Sequence, residues 1–418
     1  MKIALLTQHF APDFEGGTEA VVRAQARELM ARGHEVFVIS GTDVPHSGED
    51  VWEEQADGVP VSFLPRLPDE YMDLALDRPR VQGLIARLVG DSDLVHVHHW
   101  ATLTGSLVRQ FAGSRPVAVT LHDYFVACPR YFRLPPAFIE QCPERGVFDT
   151  CVTCVKDAVP RVLPEHIHKG FVLRDQANQA ELDAADAVIV PSHSHGRGIR
   201  GYLDIADENL FCVPHGIDQA LARLDVPRWN GEGRLRLLIL GHRSGVKGVH
   251  DVAAAVGQLT PEDRARVEVL LLGDEVEDGF DASLLELAGE GAHLHFRGNY
   301  TTASIAERVG ESEVPHVGLF PSRAYESYGL VPDEMGAMGL PVWISDRGAP
   351  KERVGAAGAI LPAADPTAWA RALAQVLADP SILEAQRQAV PGNPRTARDA
   401  VLELEDIYES LFSARPRA

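Results

Sequence analysis

The chain has 418 residues, of which 45% are hydrophobic and 24% are charged, which is typical of a globular protein with two domains of ordinary size. Its formal net charge of −21 argues against nucleic acid or an anionic membrane as the main partner. Because no apolar run approaches the length of a membrane span or a signal peptide, the composition predicts a cytoplasmic protein without a transmembrane segment.

Residues 1–214 are predicted to form a first α/β domain with a parallel sheet. Short, nearly continuous apolar runs indicate its buried strands, at Met1–Thr7, Glu35–Ile39, Leu94–His98, Val117–Leu121 and Ala187–Val190. After the first strand comes a loop with Gly16 and Gly17, and then a helix with Thr18 as its expected N-cap. Strand, glycine loop, helix and strand make a βαβ unit, the building block of a nucleotide-binding domain.

Residues 215–394 repeat this plan after a Pro/Gly hinge at Val213–Asp218. The second set of strands is expected at Arg236–Leu240, Val267–Leu272, His293–Arg297, Val317–Phe320 and Val342–Ser345. The acid-rich stretch 273–289 is predicted to be mobile. Helical spacing of apolar residues over Thr396–Phe412 predicts a last helix within residues 395–418.

Four of the five cysteines lie within the loop 128–154. They are Cys128, Cys142, Cys151 and Cys154. A C-x-x-C pair with two further cysteines close by is typical of a closed structural zinc site. An iron–sulfur cluster is the alternative metal site, and disulfides are disfavoured in a reducing cytoplasm.

Two glycine loops are candidates for binding a diphosphate. Gly16 and Gly17 precede a helix whose N-terminal amides favour an anion, although the same pair also suits a simple tight turn. The second loop, Gly241–Gly248, carries Arg243 and Lys247. Since the chain has only five lysines against 34 arginines, we interpret Lys247 as a functional cation rather than as general basicity.

Two glutamates eight residues apart, Glu326 and Glu334, flank a predicted helix start. Four residues between them offer backbone amides to a phosphate, namely Ser327, Tyr328, Gly329 and Leu330. Amides for a phosphate together with carboxylates for hydroxyl groups suit a nucleotide sugar. Two solvated glutamates beside a turn are the plain alternative.

The segment Glu326–Glu334 resembles the E-x7-E element of the retaining glycosyltransferases of family 4 (GT4), and the resemblance extends from Met1 to about Leu411. It implies the GT-B fold, an α/β architecture of two Rossmann-like domains whose parallel sheets face each other across a cleft. The final helix would then cross back to the N-terminal domain, which is the acceptor side. The resemblance assigns the hydroxyls of the donor sugar to Glu326 and the ribose to Glu334.

The same resemblance implies further roles. His122, after the strand that ends at Leu121, matches a histidine that approaches the sugar, with His9 and Asp123 as weaker neighbours. Lys247 would offset the charge of the departing diphosphate, as would Arg243, although His242 occupies the position at which relatives carry their arginine. We therefore expect His122, Glu326, Lys247 and Arg243 to act on the reacting groups.

The implied reaction transfers a sugar from a UDP- or GDP-type donor to an acceptor hydroxyl with retention, in glycan, polysaccharide or natural-product glycoside synthesis. GT-B enzymes do not normally need a divalent metal for catalysis. Cysteine sets like the present one, with His122-Asp-Tyr124 and Cys128-Pro-Arg130 before them, occur in a GT4 subgroup. Residues 1–214 carry no strong basic patch of the kind that would dock the protein on a membrane. This absence favours a soluble acceptor.

Other classes of protein remain open at this level. A sugar-nucleotide epimerase of GT-B fold also grips a nucleoside diphosphate, but the Glu326/Glu334 pairing with the first glycine loop favours transfer. A non-catalytic nucleotide-sugar-binding scaffold would be expected to lack Glu326, Glu334 or Lys247, and the chain has all three. The excess of acidic residues is spread evenly over both halves of the chain, which argues against a nucleic-acid-binding module held together by zinc.

Overall fold

The computed structural model describes residues 1–43, 51–66, 77–131, 133–134, 148–156, 162–218, 221–301, 304–309 and 314–414. Contacts divide these residues into two units. Unit 1 falls within Met1–Arg133, Cys142–Gly216 and Thr396–Ala418, and unit 2 falls within Leu134–Gln141 and Ile217–Arg395. Among the described helices, none is long and apolar enough to cross a membrane.

Unit 1 is built on one sheet with the strand order β3-β4-β2-β1-β5-β6-β7-β8. Its strands are Lys2–Thr7 (β1), Glu35–Thr42 (β2), Trp52–Ala56 (β3), Val59–Pro65 (β4), Leu94–Val97 (β5), Val117–Thr120 (β6), Ala187–Val190 (β7) and Leu210–Cys212 (β8). All neighbours are parallel except β3, which pairs antiparallel with β4. The hairpin of β3 and β4 was absent from the sequence prediction because Trp52–Ala56 is largely polar and exposed.

The helices of unit 1 cover this sheet. They are Gly17–Ala31 (α1), Pro79–Val89 (α2), Phe148–Lys156 (α3), Pro164–Asp183 (α4), His193–Arg200 (α5) and the C-terminal helix Ala397–Ala414. The C-terminal helix places Val401, Leu404 and Tyr408 in the same buried cluster as Ile3 and Leu5 of β1. Full burial of such side chains contributes about 1.5–3 kcal/mol each, so the helix is an integral part of this core.

Unit 2 has an all-parallel sheet with the strand order β11-β10-β9-β12-β13-β14. Its strands are Leu235–Leu240 (β9), Val267–Leu272 (β10), His293–Arg297 (β11), Val317–Phe320 (β12), Val342–Ser345 (β13) and Gly358–Leu361 (β14). Alternate residues of β9 enter two different cores: Leu237 and Ile239 join one cluster, and Leu238 and Leu240 join the other. Burial on both faces explains why these strands are continuously apolar in sequence.

Helices cover both faces of the second sheet. They are Val249–Gln258 (α6), Pro261–Ala265 (α7), Phe280–Ala288 (α8), Ile305–Val309 (α9), Leu330–Ala337 (α10), Pro366–Ala378 (α11) and Ser381–Ala389 (α12). The expectation that residues 273–289 are mobile was wrong, because α8 lies there and buries Leu284 and Ala288. The GT-B expectation of two α/β domains with parallel sheets is confirmed.

Candidate active site

The loop that joins β12 to α10 carries Glu326, and two glycines shape it. Gly329 is the N-cap of α10 with φ of 76°, a conformation that side chains disfavour, and no side chain caps this helix. Gly348 lies so close that a Cβ there would be 2.4 Å from the carbonyl oxygen of Glu326. The same oxygen accepts a hydrogen bond from the Ala349 amide at 2.9 Å. The loop is therefore held by its backbone, and no side chain caps the N-terminus of α10.

The carboxylate of Glu326 is oriented by two donors. Lys247 Nζ lies 2.9 Å from Glu326 Oε1, and Ser322 Oγ donates to the same oxygen at 2.8 Å. Lys247 ends a short turn whose C-cap, Gly248, would place a Cβ only 2.0 Å from the Pro321 carbonyl oxygen. The close approach that glycine permits thus brings the two loops, and with them the cation and the carboxylate, together.

Glu334 lies on α10, partly buried. Burial, with a smaller contribution from Asp333, raises the pKa of Glu334 to about 7. Glu334 in turn contributes to the raised pKa of the Tyr300 phenol. Within the described part of the chain, the Glu334 carboxyl group forms no hydrogen bond. A half-desolvated carboxyl group of this kind is suited to accept hydrogen bonds from ligand hydroxyl groups.

Arg353 fastens the loop to the helix that follows it. Its Nε lies 3.0 Å from Asp333 Oδ1, and its Nη2 donates to the carbonyl oxygens of Tyr328 (2.9 Å) and Gly329 (3.0 Å). The guanidinium carbon also lies 3.7 Å from the centroid of the Tyr328 ring, which is buried. Because these carbonyl groups are held on one side, the amides between Ser327 and Leu330 keep a fixed orientation.

Among the described residues, Arg243 forms no hydrogen bond or ion pair with Lys247 or Glu326. Its buried guanidinium pairs with Asp281, with Nη2 2.7 Å from Oδ2, and also donates to the carbonyl oxygen of Gly273. His242, at the position of the relatives' arginine, is exposed. The one-residue shift of the arginine therefore turns it inward, where its charge is used to join β9 to α8.

Gly16 and Gly17 lie where α1 begins, but the N-cap expected at Thr18 was wrong: the helix starts at Gly17 and its N-cap is Gly16. Burial raises the pKa of the Glu19 carboxyl group, and the backbone N–H groups of Gly16 and Glu19 partly offset this effect. A Cβ at Gly16 would lie 2.7 Å from this carboxylate, so glycine makes the close approach possible. In this structure the side chain of Glu19 lies beside the glycine pair that we expected a diphosphate to approach.

His122 follows β6 and is almost completely buried. Its Nε2 lies 2.9 Å from Nδ1 of His98, and its ring stacks on that of His215 with centroids 5.1 Å apart. Burial is the main reason why the pKa of His122 lies well below its usual range, and His215 adds to the effect. The neighbouring Asp123 accepts from the Phe125 amide, yet burial raises the pKa of Asp123 to about 7. His122 is therefore neutral near pH 7.

Three of the four clustered cysteines are among the described residues, and Cys142 lies outside them. Cys151 and Cys154 are one turn apart on α3, and Cys151 packs against the cluster formed by Val155, Ile167 and Phe171. Burial, together with the charges of Cys128 and Cys154, raises the pKa of the Cys151 thiol to about 11. The described residues hold no group of three or more His, Cys, Asp or Glu side chains placed to bind a metal ion.

Several contributors to the site were not identified from the sequence. Ser322 acts on Glu326 from within the same loop, Arg353 and Asp333 fix that loop through a more distant contact, and His98 acts on His122. One signal was available, because Pro332-Asp333 departs from the apolar pair that the E-x7-E resemblance implies at these positions. The structure gives that departure a reason, since Asp333 is the carboxylate partner of Arg353.

Sequence comparison places both halves of the chain among glycosyltransferases. The profile described as Glycosyltransferase Family 4 matches residues 15–221, and that of Glycosyl transferases group 1 matches residues 234–379. A D-inositol 3-phosphate glycosyltransferase of Catenulispora acidiphila is 26% identical, over 89% of this chain and 85% of the relative. A GDP-mannose-dependent alpha-mannosyltransferase of Mycolicibacterium smegmatis is 25% identical, over 85% of this chain and 82% of the relative.

Structure comparison supports the fold. Sucrose-phosphate synthase from Thermosynechococcus elongatus aligns with a TM-score of 0.70 over 99% of this chain and 100% of that one, at 21% identity. At this identity the likeness concerns the fold alone, which is that of the GT-B enzymes.

Proposed function

We propose that unit 2 holds the nucleoside-diphosphate sugar donor of this chain, a retaining glycosyltransferase that moves the sugar to an acceptor hydroxyl and whose two halves match the profiles of Glycosyltransferase Family 4 and Glycosyl transferases group 1. The observation that carries the proposal is the Lys247–Glu326 ion pair beside the uncapped N-terminus of α10. A cation, the backbone amides at a helix N-terminus and an oriented carboxylate are groups that bind a sugar diphosphate.

In the proposed complex the diphosphate lies against Lys247 and the amides of Ser327–Leu330. As the bond between the sugar and the phosphate breaks, negative charge grows on the departing nucleoside diphosphate, and these groups offset it without a divalent metal. The anomeric carbon forms its new bond to the acceptor oxygen, and the acceptor proton passes to the leaving phosphate. Glu334 accepts hydrogen bonds from the ribose hydroxyl groups. Arg243 takes no part in this scheme because Asp281 already neutralises it.

Glu326 is proposed to hold hydroxyl groups of the donor sugar rather than to attack its anomeric carbon. Its Oε1 already accepts from Lys247 and Ser322, which lowers its nucleophilicity and fixes its direction. For His122 we propose a hydrogen bond to the sugar, and for His9 and Asp123 contacts to the acceptor or the sugar. A soluble acceptor and a cytoplasmic location stay predictions. The relatives reported above are transferases, so the epimerase and scaffold alternatives gain no support from them.

The nucleotide base can be identified by thermal unfolding of the whole chain with UDP, GDP, TDP and ADP. We expect one base to raise the melting temperature selectively, since a ligand at 100 times its Kd stabilises the folded state by about 2.7 kcal/mol. The relative named GDP-mannose-dependent makes GDP the first nucleotide to test. The Glu334→Gln variant should lose most of this shift, whereas Glu286→Gln, at an exposed position on α8, should keep it. If none of the four nucleotides raised the melting temperature above that of the free protein, the result would contradict a donor site in unit 2.

For the cysteines we propose a structural zinc site formed by Cys128, Cys142, Cys151 and Cys154, with an iron–sulfur cluster as the alternative. The C-x-x-C spacing supports it, as does the contribution of Cys128 and Cys154 to the raised pKa of Cys151. A bound cation would reverse the raised pKa of Cys151, because it stabilises the thiolate.

Metal analysis of the purified protein checks this proposal. We expect about one zinc ion per chain in the wild type, and a loss of metal and of thermal stability together in Cys151→Ser. Cys212→Ser, which changes a cysteine of β8 outside the cluster, should retain the metal. Iron with visible absorbance would favour the cluster instead, and a metal-free, stable wild type would exclude both.

A further inference from the structure

Unit 1 contains a row of four buried imidazoles, here called the histidine row, formed by His96, His98, His122 and His215. The rings of His96 and His98 have centroids 4.1 Å apart, His98 Nδ1 lies 2.9 Å from His122 Nε2, and His122 stacks on His215. The register of β5 and β6 brings His98 and His122 together, because both residues follow the carboxyl ends of these adjacent parallel strands.

One end of the histidine row is fixed by hydrogen bonds. His96 Nδ1 lies 2.6 Å from the hydroxyl of Tyr408 on the C-terminal helix, and His96 Nε2 lies 2.7 Å from the hydroxyl of Thr120. His98 differs, since its Nε2 is buried and has no hydrogen-bond partner among the described residues. The contact to His122 is therefore the one ring hydrogen bond that the described structure gives to His98.

This asymmetry indicates where the ring protons lie. Burial holds the pKa of both imidazoles well below the usual range, so near pH 7 each ring carries one proton and one of the two nitrogens in the 2.9 Å contact must donate. A proton on His98 Nε2 would leave a buried N–H without an acceptor, and orphaned buried N–H groups are rarer than unpaired acceptors. The proton of His98 belongs on Nδ1, from which it donates to His122 Nε2.

We propose that His98 is a positioning residue that fixes the ring of His122 and holds the His122 proton on Nδ1. With its proton on Nδ1 and its Nε2 lone pair used by His98, His122 donates in the proposed contact to an oxygen of the sugar and does not take the acceptor proton. This inference rests on the contact to the sugar proposed above for His122. It agrees with a reaction in which the leaving phosphate, and not a protein base, receives that proton.

Nitrogen NMR of the whole chain labelled with 15N-histidine tests the tautomer directly. Two-bond and three-bond proton correlations distinguish protonated from unprotonated ring nitrogens, and the His122→Asn variant identifies the His122 signals. We expect a protonated Nδ1 and an unprotonated Nε2 in His122. The opposite pattern would overturn the proposal.

Kinetics of two His98 variants test the positioning role, with release of nucleoside diphosphate from the matching sugar nucleotide as the assay. His98→Leu removes the hydrogen bond, and we expect kcat to fall about 10- to 100-fold, as for other residues that orient a functional histidine, with a smaller change in the KM for the donor. His98→Asn places an amide near the position of Nδ1 and should restore kcat to within about 3-fold of the wild type.

A matched control separates this effect from loss of a buried histidine. His316 in unit 2 is also buried and its Nδ1 accepts from the Arg236 amide, so His316→Leu should lower stability without the same loss of kcat. Full kcat in His98→Leu, or equal losses in His98→Leu and a folded His98→Asn, would overturn the positioning role. Full activity of His122→Asn would instead refute the contact proposed for His122, while the NMR assignment would stand.

Discussion

Replacement of Glu326 by glutamine is expected to lower kcat/KM for sugar transfer by about 100- to 1,000-fold, the range found when a preorganised polar group is removed from a reaction centre. Glutamine keeps the shape of the side chain and the contact to Ser322, but it loses the charge that pairs with Lys247. The rate of nucleoside diphosphate release from the stabilising sugar nucleotide measures the effect.

Folding should change little in this variant. The Lys247–Glu326 pair is partly exposed, with 32% and 14% of the two side chains accessible, so its loss should cost no more than about 1 kcal/mol. Glu286→Gln removes the same charge from the exposed face of α8 and serves as the control. Activity of Glu326→Gln within a few-fold of the wild type would refute the assignment of Glu326 to the donor sugar.

Replacement of Lys247 by methionine should affect both donor binding and the chemical step. A diphosphate carries its charge in the bound donor and gains more as it leaves, so we expect weaker binding of the nucleoside diphosphate and a fall in kcat of about 100-fold. Calorimetric titration with the nucleoside diphosphate and the transfer assay measure the two effects separately.

The remaining lysines provide a control for general basicity. Lys169 is exposed on α4 of unit 1, and Lys169→Met should leave both quantities unchanged. Lys247→Arg retains the charge, so it should recover part of the binding but less of kcat, because the longer side chain displaces the cation from Glu326. If Lys247→Met bound the diphosphate as tightly as the wild type, the cation would have to come from elsewhere in the chain.

Local sequence patterns predicted most of the strands correctly because burial leaves a direct mark on them. β7, β10, β12 and β13 have the predicted bounds, since a parallel strand that is covered on both faces needs an apolar residue at nearly every position. The edge strand β11 also has the predicted bounds, although its residues are half-buried or exposed. The stretch 273–289 was misjudged for a related reason. Its composition is acidic, yet a few apolar residues such as Leu284 are enough to dock α8 on the sheet.

The two glycine loops show how far a motif predicts a site. Gly248 permits the close approach to Pro321 that sets Lys247 beside Glu326. The glycine loop in which we interpreted Lys247 as a functional cation therefore does contain an ion pair with a predicted site residue. Gly16 also permits a close approach, but the group that approaches is Glu19. Glycine thus marked both close contacts correctly, while the identity of the partner depended on the fold.

The sequence by itself determined that this protein has two α/β halves, and the E-x7-E resemblance predicted its membership of a retaining glycosyltransferase family. Such features depend on local periodicity and on motifs within one loop. Only the tertiary structure decided that Lys247 meets Glu326 across 79 positions, that Arg243 turns to Asp281, and that His98 holds His122. Pairings of this kind depend on strand order and register, which bring together side chains from separate segments and which no local pattern encodes.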